Sequence, residues 1–78
     1  MIIDPKKGDQ ILWLNESEMY PNANILAEEY LTRGQVYTVE HHFMGDPIHQ
    51  VELQEVDDLL FPTDLFENVN FQFDLGGL

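Results

Sequence analysis

The sequence predicts an all-β domain, a small barrel of about five short strands with one short helix or helical turn. Two observations predict this class. Apolar and polar residues alternate in the segment that follows Gly34, and they alternate again over residues 48–56. Clusters of turn-forming residues separate the segments at the short intervals that are typical of small barrels.

The first part of the chain is predicted to contain a strand, a long loop and a short helix. A strand covers residues 10–14, where Ile11 and Trp13 share one face and are expected in the core. Polar residues make 15–24 a loop, and Asn24 caps a helix over 25–31. Because that helical segment is short, an irregular hairpin stays an alternative.

The second part is predicted to be strands and turns. The predicted strands are 35–43, 48–56, 59–61 and 66–70, with turns at 44–47 and 57–58 and a helical turn at 62–65. In these strands Tyr37 and Val39 point to one side, and Val51 and Leu53 point inward.

The 78 residues are expected to form one domain, with a barrel core at 7–70 and a C-terminal tail at 71–78. The chain has no cysteine, which excludes disulfides and thiolate metal sites and fits a reducing compartment. No segment is apolar over the ~18 residues that cross a bilayer. We therefore expect a cytoplasmic protein without a membrane partner.

One pattern resembles a known group of proteins. Its residues, in chain order, are Gly8-Asp9, Leu31-x-x-Gly34-x-x-Tyr37-Thr38-Val39, Val51-x-Leu53 and Phe61-Pro62-x-x-x-Phe66. Over roughly residues 7–69 this order resembles small phage and bacterial proteins with a Src-homology-3-like barrel. The resemblance implies a Src-homology-3-like fold in a phage, prophage or bacterial accessory protein. It implies no activity, because those proteins are largely of unknown function.

The segment 60–66 also looks like the "LFPxNYV" stretch that closes eukaryotic Src-homology-3 domains. Those domains bind polyproline peptides through aromatic residues that this chain lacks. Leu65 stands where their tyrosine would be, and the middle strand has no tryptophan. Polyproline recognition is therefore not part of what the resemblance implies.

The net charge of −12 bears on the choice of partners. Binding to nucleic acid depends on cations that replace counterions at phosphates, and this chain has only Lys6, Lys7 and Arg33 against fifteen acids. Direct binding to nucleic acid is therefore disfavoured, and a basic protein surface is favoured. An acidic surface also keeps a small protein soluble, which stays an alternative role.

The sequence thus predicts a non-enzymatic, acidic interaction protein. Its predicted partner-binding residues are Glu16, Glu18, Glu28, Glu29, Glu52, Glu55, Asp57 and Asp58. A second hypothesis is that carboxylates imitate DNA phosphates and inhibit a DNA-binding protein, which requires acids at phosphate-like spacing along one edge. The oligomeric state is left open, with a homodimer as one alternative.

A third hypothesis is metal binding by the histidines. They are His41, His42 and His49. If Phe43 pairs with Pro47, His41 lies opposite His49, and these two imidazoles with Asp46 or Glu52 form a possible site for a divalent metal. The alternative is that they are ordinary strand residues, and no metal or cofactor is predicted.

Catalysis has little support in the sequence. Ser17 is the only serine, it lies between two glutamates, and there is no cysteine to act as a nucleophile. No glycine-rich phosphate-binding loop occurs. We therefore predict that the protein is not an enzyme.

Overall fold

A computed structural model describes residues 2–45 and 48–69 of the chain. Its elements are β1 (Gln10–Trp13), α1 (Pro21–Tyr30), β2 (Val36–Phe43), β3 (Gln50–Leu53), β4 (Val56–Pro62), a 3₁₀ turn (Thr63–Leu65) and β5 (Phe66–Asn68). Asp46, Pro47 and the predicted tail 71–78 lie outside the described residues.

The five strands form one antiparallel sheet in the order β4-β3-β2-β1-β5. Strands β1 to β3 each pair with the next strand along the chain, and β5 returns to pair with the free edge of β1. The predicted class, mostly β with about five strands and a short helix, is confirmed. The sheet is not closed, since no pairing joins β4 to β5 within the described residues.

The hydrophobic core draws side chains from every strand and from α1. Its members with no exposed surface are Ile11, Ala27, Val39, Val51, Leu53, Phe61, Leu65 and Phe66. Trp13 is 2% exposed, which confirms its predicted place in the core. The inward direction predicted for Val51 and Leu53 is confirmed, and Tyr37 and Val39, which were predicted to share one side of their strand, are both buried.

The helix begins earlier than the sequence predicted. It starts at Pro21, whose fixed φ suits the first helical position, so the predicted start at residue 25 and the Asn24 cap are wrong. Asn24 lies inside the helix and holds the preceding loop. Its Oδ1 accepts a hydrogen bond from the Ser17 backbone N–H at 2.7 Å, and its Nδ2 donates to the Ser17 carbonyl at 3.1 Å.

The turn between β3 and β4 also lies elsewhere than predicted. It is made by Gln54 and Glu55, so Asp57 and Asp58 belong to β4 and not to a turn. Both carboxylate oxygens of Glu55 accept from the Thr38 N–H, at 2.9 and 3.1 Å. The Gln54 N–H donates to the Thr38 carbonyl at 2.8 Å. These bonds dock the turn on β2 and end β3 early.

A β-bulge in β2 decides which side chains face the core. Val39 pairs with Leu53, but the next pair joins His41 to Glu52, which leaves Glu40 as the extra residue. Without the bulge Glu40 would lie opposite Glu52, and like charges directly opposite destabilise a sheet. The bulge avoids this, and Glu40 instead lies 3.5 Å from the Lys7 ammonium.

A small polar cluster fixes the loop that leads into α1. Ser17 is 3% exposed, and its Oγ donates to Asp64 Oδ2 at 3.0 Å. The same Oγ accepts from the Tyr20 N–H at 3.0 Å. The hydroxyl therefore ties the start of α1 to the 3₁₀ turn that precedes β5.

Replacing Ser17 with alanine should lower the free energy of unfolding by about 1–3 kcal/mol, because it leaves the half-buried Tyr20 N–H and Asp64 carboxylate without their partner. Asp64 Oδ1 is already buried without a hydrogen bond among the described residues, so the carboxylate has little to replace the lost donor. Urea unfolding of Ser17→Ala beside Glu18→Ala measures this. The exposed Glu18 control should change stability by less than about 0.5 kcal/mol, and an equally small effect at Ser17 would contradict the role of the cluster.

Candidate functional site

The eight carboxylates predicted to bind a partner fall into two groups. Glu16 and Glu18 lie in the loop before α1, and Glu28 and Glu29 lie in the last turns of α1. The second group belongs to the β3–β4 hairpin and consists of Glu52, Glu55, Asp57 and Asp58.

Three of the eight carboxylates bind groups of the protein itself. Glu55 accepts from the Thr38 backbone as described above, and Glu52 Oε2 accepts from the Asp58 N–H at 3.2 Å. That second bond accompanies a φ of 65° at Asp58, a left-handed conformation that Asp adopts more readily than most residues. Glu16 lies 4.0 Å from the Arg33 guanidinium. These acids therefore have roles in holding the fold.

Arg33 also contacts other residues of the fold. Its guanidinium carbon lies 4.7 Å from the centre of the Trp13 ring, a cation–π contact. One of its nitrogens donates to the Leu14 carbonyl at 3.0 Å. Among the described residues, Arg33 and Lys7 each lie near one acid, Glu16 and Glu40 respectively.

The remaining acids differ in this respect. The exposed side chains of Glu18, Glu28, Glu29, Asp57 and Asp58 form no hydrogen bond or ion pair with other residues in the described ranges. Their carboxylates are open to a ligand from outside.

Two of these open acids flank an exposed apolar side chain on α1. Ile25 is 68% exposed, and Glu28 and Glu29 follow it by three and four residues, the spacing of neighbours on one side of a helix. Asn22 precedes it by three residues on the same side. We call these four residues the outer helix face. Its opposite side holds the buried Ala27 and the partly buried Leu26.

The acids of the outer helix face are placed where they weaken the helix. A helix carries partial negative charge at its C-terminus, and no basic residue occupies the last turn of α1. No side-chain cap supports the N-terminus either. Tyr30, the last residue of the helix, is 50% exposed. The helix dipole therefore does not favour the carboxylates of Glu28 and Glu29.

The predicted pairing of His41 with His49 is wrong. Phe43 pairs with Gln50 and not with Pro47, so His41 lies opposite Glu52 and its ring packs 4.3 Å from the Phe43 ring. The bulge turns His42 inward instead. Its Nε2 lies 2.8 Å from Nδ1 of His49.

The third member of this histidine cluster was missed by the sequence analysis. Asp4 offers a carboxylate oxygen, and the ligand atoms of Asp4, His42 and His49 all lie within 4.8 Å of one another. Glu52, one of the two predicted partners, points to the other face of the sheet with His41. The other, Asp46, lies outside the described residues. The sequence gives no sign of this contact, because Asp4 is far from both histidines along the chain and only the fold brings them together.

Within the residues that the structure describes, no helix has both the length and the apolar character to cross a membrane. Comparison of the chain with protein families, with curated proteins and with solved structures gives no match.

Proposed function

We propose that the protein is a small, acidic, non-enzymatic interaction module that binds a basic protein surface through its outer helix face. One observation carries this proposal: Ile25 is 68% exposed beside two carboxylates that pair with no residue in the described part of the chain. An apolar anchor with a charged rim is the usual organisation of a protein interface.

The charge of the chain indicates the chemistry of the partner. A net charge of −12 on 78 residues attracts cationic surfaces and speeds their association. Lysine or arginine side chains of a partner would meet Glu28 and Glu29, while an apolar side chain covers Ile25. Glu18, just before the helix, extends the acidic rim.

The unfavourable position of the two acids supports the same reading. Carboxylates at a helix C-terminus disfavour the helix by roughly 0.3–1 kcal/mol each, whereas lysines there would favour it. A bound cationic partner would reverse this effect. The two carboxylates are therefore more favourable in the complex than in the free protein.

We also propose that the sheet has a Src-homology-3-like arrangement. The strand order, with β5 returning to the edge of β1, and the 3₁₀ turn directly before β5 support a Src-homology-3-like arrangement. On this basis we propose a phage, prophage or bacterial accessory protein that acts in the cytoplasm. The β3–β4 hairpin would then be scaffold, because Glu52 and Glu55 bind its own backbone and that of β2.

Replacing Glu29 with lysine should raise the free energy of unfolding by about 0.3–1 kcal/mol relative to the matched variant Asp57→Lys. Both substitutions change the net charge equally, so the comparison removes the general effect of charge. Only Glu29 lies at the end of a helix. Thermal and urea unfolding measure the difference. Equal free energies of unfolding for the two variants would show that the acids at the end of the helix do not destabilise it.

The substitution Glu29→Lys should weaken binding to the partner, although it stabilises the free protein. The wild-type protein is immobilised and exposed to host lysate at low and high salt, beside Glu29→Lys, Ile25→Ser and the control Asp57→Lys. We expect proteins of basic isoelectric point to be retained by the wild type and by Asp57→Lys, and to be lost from the two helix variants and at high salt. Retention that does not depend on Ile25 and Glu29 would contradict the proposed interface.

Competition by duplex DNA separates this proposal from the DNA-mimic hypothesis, which stays a prediction. DNA that displaces the retained protein would favour mimicry. Retention that is unaffected by DNA would favour a basic surface with no role in DNA binding.

A further inference from the structure

A cluster of three metal-ligating side chains lies apart from the outer helix face. His42 belongs to β2, His49 lies just before β3, and Asp4 precedes β1. Their ligand atoms lie within 4.8 Å of one another. Both imidazoles are half-buried and Asp4 is exposed, so the cluster is open to solvent on one side.

The backbone holds this cluster together through one residue of the 3₁₀ turn. The buried Thr63 donates its N–H to the His49 carbonyl at 3.0 Å, and its own carbonyl accepts from the Ile2 N–H at 3.4 Å. Ile2 is buried in the core and Pro5 is buried as well, so both sides of Asp4 are anchored. Thr63 thus links the segment that contains Asp4 to His49, and the bulge turns the His42 side chain toward both residues.

The donor atoms suit a transition-metal ion. Two imidazole nitrogens and one carboxylate oxygen are ligands that Zn²⁺ accepts, and three protein ligands leave a fourth position for water. Tetrahedral ligands at ~2.0–2.1 Å from zinc lie about 3.4 Å apart. The two facing nitrogens are 2.8 Å apart and must separate by about 0.6 Å, and the Asp4 oxygen, which lies within 4.8 Å of both, must come to about 3.4 Å from each.

The two imidazoles can also adopt the protonation states that metal binding requires. At 2.8 Å one imidazole donates its N–H and the other accepts, so the accepting nitrogen is already unprotonated, and its lone pair becomes available when this hydrogen bond breaks. To bind a metal, the donating ring changes tautomer and carries its proton on the far nitrogen. Asp4 makes no hydrogen bond or ion pair with the rest of the described chain, and its carboxylate is free to coordinate.

We propose that Asp4, His42 and His49 bind one divalent first-row transition-metal ion, of which Zn²⁺ is the test case. The bound ion would join the segment before β1 to the β2–β3 hairpin. Because the folded protein alone brings the three ligands together, binding should stabilise the fold.

The test uses the full chain without a histidine tag. Calorimetric titration with Zn²⁺ should show one site, and zinc at 100 times its Kd should raise the folding equilibrium constant about 100-fold. Mg²⁺ at equal concentration should give no shift, because it prefers oxygen ligands. Absence of a one-to-one zinc complex would overturn the proposal.

Variants then locate the ion. His42→Ala and Asp4→Ala should each lower zinc affinity at least about tenfold, while the adjacent control His41→Ala, whose ring lies on the other face, should bind as the wild type does. Circular dichroism without metal checks that each variant is folded. Asp4 is exposed, so its variant decides the question if His42→Ala fails to fold. Equal affinity in Asp4→Ala and the wild type, or an equal loss in His41→Ala, would place the metal elsewhere.

Discussion

The β-bulge at Glu40 is the constraint on which the arrangement of this protein depends. Strand β2 pairs with β1 before the bulge and with β3 on both sides of it. One extra residue reverses the face of every later side chain in the strand. It keeps Glu40 from facing Glu52, turns His42 toward the core side and leaves His41 outside. A sheet in the regular register would bring two glutamates together and move His42 away from Asp4 and His49.

Two of the three cationic side chains contact other residues of the fold. Arg33 packs on Trp13, and Lys7 lies beside the bulged Glu40. A domain of this size buries only ~60% of the surface of its unfolded chain, so such contacts matter for its stability. Among the described residues, the acids without a side-chain hydrogen bond or ion pair lie on α1 and β4, in the loop before α1 and at Asp4. This separation of structural from unpaired acids directs the functional interpretation to the outer helix face.

The sequence predicted those features that depend on local pattern. Alternation placed Val51 and Leu53 in the core and put Tyr37 and Val39 on one side of their strand, and the proline at residue 62 marked the helical turn before β5. Features that depend on contacts between distant residues were missed. The turn after β3 is set by Glu55 binding to β2, which no nearby residue indicates. The start of α1 has a local signal in Pro21, but the polar residues around it are typical of a loop.

The same limit applies to the two candidate sites. Exposed acids could be counted in the sequence, but only their hydrogen bonds distinguish Glu52 and Glu55 from Glu28 and Glu29. The predicted histidine pair assumed a regular hairpin. The most direct test of the bulge is a two-dimensional NOE spectrum of the histidine ring protons. Cross-peaks between the His42 and His49 rings, and between the His41 and Phe43 rings, are predicted. Cross-peaks between His41 and His49 would contradict the bulged register and the site built on it.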